Sequence, residues 1–226
     1  MNTLKHIVLI GVGLIGGSFV LDLKRLGLVD TVTGIDLDRD NLDRALERRV
    51  IDRAYTQIDA LSMHEADLAV IATPVSTFPD ICRTVRPYLN AHTVVTDVGS
   101  TKQSAVQAFR SVLPKHLSRC IAAHPIAGSD RSGALSAQFG LFQDRKLVIT
   151  PHGDEDEQAV SLVENLWLAV GAKTFRMSAE EHDAVFAAVS HMPHLAAFAY
   201  VHQIADHPDG RRYLEFAATG FRDFTR

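Results

Sequence analysis

Through the first two-thirds of the chain, short apolar runs alternate with stretches whose apolar residues recur at helical spacing. Continuous apolar runs mark strands buried on both faces. Their alternation with helices predicts an α/β fold, a doubly wound parallel sheet of the Rossmann type. The predicted strands are residues 6–10, 31–35, 68–72, 93–97, 120–123, 146–150 and 172–177. Between them, Leu14, Ile15, Val20, Leu23 and Leu26 repeat at helical spacing and Gly27 offers a stop. Residues 76–89, 101–113 and 154–170 read as further helices, the last opened by an acidic turn that suits its dipole. After Met177 the pattern changes. Ser178 and Glu181 have capping-box spacing, and from there to about Asp206 the chain reads as one Ala-, His- and Phe-rich helix. Pro193 should kink it. The expected organisation is a nucleotide-binding domain over residues 1–177 and the start of an all-helical domain over residues 178–226.

Composition narrows the class. The chain has 226 residues, 46% of them hydrophobic and 22% charged, enough to bury a core without staples. A net charge of −4 without a Lys/Arg run gives no track for nucleic acid. Cys82 and Cys120 are far apart in sequence, and neither belongs to a CxxC. Two reduced core thiols fit a cytoplasmic protein. The apolar stretch after Lys5 is broken by Gly11, Gly13, Gly16 and Gly17 and runs into Asp22 and Lys24, unlike a signal peptide. No segment reads as the ~20 apolar residues of a membrane span.

Gly11-Val12-Gly13-Leu14-Ile15-Gly16 is a G-x-G-x-x-G placed between a predicted strand and a predicted helix, the context in which the motif binds a dinucleotide. Gly11 would make the tight turn, Gly13 would let backbone approach a pyrophosphate, and Gly16 would let helix and strand pack closely. Asp36 ends the next strand, twenty residues after Gly16. A carboxylate there accepts bonds from ribose hydroxyls and repels a 2′-phosphate, which favours NAD over NADP; the nearby Arg39 weakens that preference. Thr73 and Pro74 follow the strand at 68–72 and would lie against the cofactor, unless Pro74 merely ends the strand.

Two later strand ends carry candidate chemistry. Ser100 follows the strand at 93–97, and His124 follows the strand at 120–123. An alcohol dehydrogenation needs a base for the hydroxyl proton, and histidine, titrating near ~6.5, suits that task. His124 is the candidate base, with Ser100 beside it or beside the substrate. Blander roles stay open. Ser100 with Gln103 has capping-box spacing, and His124 can be a satisfied histidine at a strand end. His191, His194, His182 and Asp183 suggest a metal site, but Pro193 interrupts the spacing and no ligand set is complete, so no metal is expected.

The strings GVGLIGGS (residues 11–18), DVGSTK (97–102), HPIAGSD (124–130), SHMPH (190–194) and GFRDFTR (220–226) fall in one order along the chain. With them the chain resembles the prephenate/arogenate (cyclohexadienyl) dehydrogenase family. The resemblance implies NAD-dependent oxidative decarboxylation of prephenate to 4-hydroxyphenylpyruvate, or of arogenate to tyrosine, in tyrosine biosynthesis. It implies His124 as the base and Ser100 as its support. Ser129, Ser190 and His194 would line the substrate pocket, Asp130 would gate it, Arg226 would bind a substrate carboxylate and Arg222 would steer the dianion. The family continues beyond the GFRDFTR string into more helices of a dimerisation domain. The expectation is therefore a helical domain cut short, and a homodimer where those helices are present. Two other readings compete: another NAD(P)-dependent dehydrogenase of the β-hydroxyacid or imine reductase type, and a nucleotide-binding fragment without turnover. Hydroxyacid enzymes use a lysine on the long helix, and residues 178–206 contain none.

Overall fold

The computed structural model describes residues 3–128 and 133–225. The chain divides into two units, one up to Glu180 and one from Glu181 onward.

The first unit runs β1 (Leu4–Ile10), α1 (Leu14–Arg25), β2 (Val29–Ile35), α2 (Arg39–Glu47), β3 (Arg53–Tyr55), β4 (Leu68–Ile71), α3 (Phe78–Val85), β5 (Val94–Asp97), α4 (Lys102–Val112), β6 (Cys120–Ile121), β7 (Ala123–Pro125), β8 (Lys146–Ile149), α5 (Glu157–Ala169) and β9 (Lys173–Arg176). Strands β3-β2-β1-β4-β5-β6 form one parallel sheet in that order. The apolar runs are unbroken because both faces are covered. Ile7 and Leu9 of β1 belong to one buried cluster with Phe19 and Val20 of α1, while Val8 and Ile10 belong to another with Val106 and Phe109 of α4. On the first face Trp167 of α5 stacks on Phe19 at 4.1 Å and meets Phe142 edge-on at 4.8 Å. The strand order reverses between β1 and β4, and in an open parallel sheet that point opens a crevice at the carboxyl ends of the strands.

Three features depart from the expected pattern. The predicted strand at 120–123 is two strands: β6 closes the parallel sheet, and β7 begins a second sheet ordered β7-β8-β9. In that sheet β7 and β8 are antiparallel and β8 and β9 parallel. One apolar run serves both sheets because both lie over the same core. Helix α2 and strand β3 carry too few apolar residues to show as a run. The Ser100–Gln103 spacing does not mark the helix start either, because α4 opens at Lys102 with Thr101 as its N-cap residue.

Helix α6 (Ala179–Phe186) leads into the second unit. There a π-helical turn at Ala187–His191 precedes α7 (Met192–Ala205), followed by α8 (Gly210–Glu215) and α9 (Thr219–Thr225). The π turn sits just before Pro193, whose ring removes a backbone donor. The widened register absorbs that loss, so the helical run continues through it. By length and composition the 27-residue run Ala179–Ala205 is long and apolar enough to cross a membrane, contrary to the expectation that no segment is. Tyr200 of α7 lies 5.7 Å from Phe221 and 6.0 Å from Phe224 of α9, ring to ring. Ala197 alone is buried along α7, while Leu195 and Phe198 are exposed.

Candidate active site

The glycine turn joins β1 to α1. Gly11 has φ +90°, and a Cβ there would fall 2.6 Å from the Ala72 carbonyl oxygen, so only glycine closes this turn against β4. A Cβ on Gly16 would strike the Leu9 and Ala72 side chains, which holds α1 against the sheet. Gly13 faces open space. It is also the N-cap residue of α1, without a side-chain cap, and the first turn carries no acid. By contrast α2 and α5 are capped by Asp38 and Asp156, whose side chains accept from Asn41 N–H and Gln158 N–H. An uncapped helix start with open space before it is a natural seat for an anion such as a pyrophosphate.

Asp36 stands beside this turn. Its Oδ2 accepts Val12 N–H at 2.9 Å and Asn41 Nδ2 at 3.2 Å, and its Oδ1 accepts Asp38 N–H at 3.1 Å. Three donors hold the carboxylate in one orientation and leave Oδ1 with acceptor capacity for a hydroxyl donor. Arg39 is turned along α2 into an exposed pair with Asp43 at 3.0 Å. Thr73 lies against Gly11, and its hydroxyl accepts from Thr77 Oγ1 at 2.9 Å; Pro74 is exposed and its carbonyl accepts Thr77 N–H at 3.0 Å. These residues, with Leu14 and Ile15 in the first turn of α1, are brought together at the carboxyl ends of β1, β2 and β4. An NAD molecule fits them: open space at Gly13 for the pyrophosphate and a poised carboxylate for the ribose.

The neighbouring strand ends carry the other candidates. His124 is half-buried on β7, opposite Val148 of β8. Ser100 is exposed after β5. A group that sequence reasoning missed links them. Lys102 and Asp97 are fully buried and form an ion pair. Lys102 Nζ also donates to the Ala123 carbonyl at 2.7 Å, and Ala123 N–H donates to Asp97 Oδ1 at 3.1 Å. Asp97 Oδ2 further accepts Gly99 N–H at 2.8 Å. Both backbone groups of Ala123 are therefore fixed by one ion pair, which sets where His124 leaves the strand. The same carboxylate sets the turn that leads to Ser100. A buried pair of this kind survives only because its remaining donors and acceptors are satisfied. Cys82 is close enough to Asp97 to feel its charge: burial first, and then that carboxylate, push its thiol up to about 12. Burial also raises the Cys120 thiol. Neither is a nucleophile at neutral pH.

In the second unit Ser190 and His194 sit one turn apart, His194 Nδ1 lying 2.8 Å from the Ser190 carbonyl, and Arg222 is exposed on α9. His182 Nδ1 is 2.8 Å from Asp183 Oδ1. Ser129, Asp130 and Arg226 lie outside the described residues.

Two family models match the chain: prephenate dehydrogenase, nucleotide-binding domain, over residues 19–176, and prephenate dehydrogenase, dimerization domain, over residues 178–226. The chain is 38% identical to a prephenate dehydrogenase of Bacillus subtilis, over all of this chain and 61% of that protein. It is 31% identical to a cyclohexadienyl dehydrogenase of Zymomonas mobilis, over all of this chain and 77% of that protein. The prephenate dehydrogenase of Aquifex aeolicus, solved with hydroxyphenyl propionate and NAD+, superposes with a TM-score of 0.89 at 32% identity, covering 99% of this chain and 78% of that one. The chain thus spans about three-fifths of the Bacillus relative's length, and it belongs to the prephenate dehydrogenase family.

Proposed function

We propose that this chain carries out NAD-dependent oxidative decarboxylation of prephenate, arogenate or both. The observation that carries the reading is the presence of two half-sites in the first unit: the open, uncapped glycine turn with Asp36, and His124 on a strand anchored through Asp97 and Lys102. Family membership supplies the substrate class. The competing reductase and turnover-free readings lack support among these relatives.

In this reading the first N–H groups of α1 hold the pyrophosphate, Asp36 holds the adenosine ribose, and Thr73 and Pro74 flank the dinucleotide. NAD, when bound, supplies the acceptor for the electron pair lost from C4 of the ring. His124 takes the C4 hydroxyl proton, and Ser100 supports it by hydrogen bonding. The ring carboxylate leaves as carbon dioxide and the ring becomes aromatic, which makes the step effectively irreversible. The protein's tasks are then placement and proton removal. Ser129, Asp130, Ser190, His194, Arg222 and Arg226 are assigned to the substrate. A guanidinium fork suits a carboxylate, and two arginines suit a dianion.

The same reading makes the protein a homodimer. The matched dimerization model over residues 178–226 and the exposed Leu195, Phe198 and Phe216 support association through the second unit rather than membrane insertion. Glu180, Glu181 and Asp183 at the start of the long helical run argue the same way. Two buried cysteines without a disulfide support a cytoplasmic location.

The test is the appearance of reduced NAD by absorbance, with prephenate and arogenate in parallel and NADP as a control. NAD reduction with either substrate supports the reading, and the faster substrate gives the preference. No reduction with either, in a chain that titrates with NAD, would overturn the assignment of turnover to this chain.

A further inference from the structure

Helices α1 and α2 hold a second piece of chain that none of the assigned roles uses. It is the stretch after Gly133 in the connection from β7 to β8, where Ala134–Ser136 form a 3₁₀ turn. Six side-chain hydrogen bonds from the two helices and from Arg48, the C-cap residue of α2, hold it, one of them from Arg48 to the Leu135 carbonyl at 2.6 Å. Asn41 Oδ1 accepts Ala134 N–H at 2.8 Å. Arg48 donates to the carbonyls of Ala134 at 2.9 Å and Ala137 at 3.1 Å. Ser18 Oγ accepts Gln138 N–H at 2.9 Å, and Asp22 Oδ2 accepts Gly140 N–H at 2.9 Å. Ser18 and Asp22 are fully buried. The backbone is shaped for this contact. Gly133 has φ +79°, and a Cβ there would come within 3.1 Å of Asn41 Oδ1. A Cβ on Gly17 would meet the Ala137 methyl at 2.8 Å.

Asn41 differs from the other anchors because it also touches the nucleotide half-site. Its Nδ2 donates to the Val12 carbonyl at 2.8 Å and to Asp36 Oδ2 at 3.2 Å. One amide thus reaches the glycine turn, the ribose carboxylate and the connection that runs on from His124. All three of its side-chain contacts are part-buried, and a carboxamide donates through its nitrogen and accepts through its oxygen at once.

We propose that Asn41 is a positioning residue that transmits dinucleotide binding at Asp36 and Val12 to the β7–β8 connection. Residues 133–140 of that connection are then held more tightly when cofactor is bound. The proposal rests on the dinucleotide reading of the glycine turn. Its physical basis is shared ordering. A ligand that fixes Val12 and Asp36 also fixes the Asn41 amide, and an amide held on one side costs less to hold on the other. By reciprocity, whatever tightens the connection raises affinity for the dinucleotide by the same factor.

The experiment is hydrogen exchange on the whole chain, resolved to peptides covering residues 133–140, with and without saturating NAD. An NAD titration is run first. Asn41→Asp keeps an acceptor for Ala134 N–H but turns an oxygen toward the Asp36 carboxylate and the Val12 carbonyl, so a melting curve establishes that each variant is folded before exchange is read. This substitution removes the donor to Val12 and Asp36. Asn41→Ala removes both sides. In the unaltered protein NAD should slow exchange in residues 133–140 about fivefold or more, the low end of ordinary coupling between sites. In both variants NAD should still bind, and the slowing should shrink to less than about twofold. Equal slowing in the variants, or NAD binding to the unaltered protein without slowing, overturns the proposal and leaves the nucleotide site standing. Failure of NAD to bind the unaltered protein overturns the nucleotide reading itself, and the proposal with it.

Discussion

The two units solve the same problem differently. In the first, Trp167, Phe19 and Phe142 are at most 1% exposed and pack against one another, while Leu37 and Phe139 lie on the surface. In the second, Phe198 of α7 is 71% and Phe216, after α8, 79% exposed. Burying each such side chain would contribute about 1.5–3 kcal/mol. The first unit therefore carries its stability in its own core, while the second presents exposed apolar surface, the surface through which association is proposed. The nucleotide half-site and the His124 strand are in the first unit, built on strand ends over its buried core.

The comparison predicts large costs for damage to the first unit and small ones for changes at the second unit's surface. Lys102→Met should destabilise most. It strands the buried Asp97 carboxylate, with an expected cost of about 3–5 kcal/mol in urea unfolding. A cost below about 1 kcal/mol would mean that Lys102 does not hold the β5 and β7 ends together. Gly11→Ala comes next. A side chain at φ +90° against the Ala72 carbonyl should cost about 1–3 kcal/mol and weaken NAD binding in a titration. Phe198→Ser should change thermal stability at low concentration by no more than about 0.5 kcal/mol, yet reduce self-association in sedimentation. Loss of the fold in that variant would show the second unit to be self-supporting after all.

The smallest effect is one of pH. Burial lowers the pKa of His6 and of His116, helped by Arg53 and Arg119 respectively. The unfolded chain then binds more protons than the native one between the depressed values and the ordinary ~6.5. Stability should be complete above pH ~6.5 and fall as pH drops below it, the loss ending below the native pKa values. Replacing both with glutamine should flatten that slope in pH-dependent melting. An unchanged slope would assign it to other groups.

What could be read from the residues follows from what each position is asked to do. Gly11, Gly16 and Asp36 were legible because a dinucleotide turn constrains backbone space and spacing together. His124 and Ser100 were legible as polar groups at strand ends. Lys102 was not, since a lysine opening an amphipathic helix looks like a solvated charge until the fold buries it against Asp97. Asn41 and Arg48 resemble any polar helix face, and their role depends on a segment ninety residues away in sequence. The passage from β6 to β7 was hidden because one apolar run crosses both sheets. On α7 the sequence shows an Ala-, His- and Phe-rich helix of a domain expected to bury apolar faces on association, but which of its side chains are covered is set by packing that no periodicity fixes.

The most direct test of the account is His124→Asn, followed by NAD titration and by turnover with prephenate and arogenate. The account predicts NAD affinity within about twofold of the unaltered protein, since His124 is on β7 and the nucleotide half-site is at the ends of β1, β2 and β4, and turnover lower by about 10²- to 10⁴-fold, the contribution of a positioned base. Turnover retained in this variant would contradict the assignment of His124, and loss of NAD binding would contradict the separation of the two half-sites on which the reading is built.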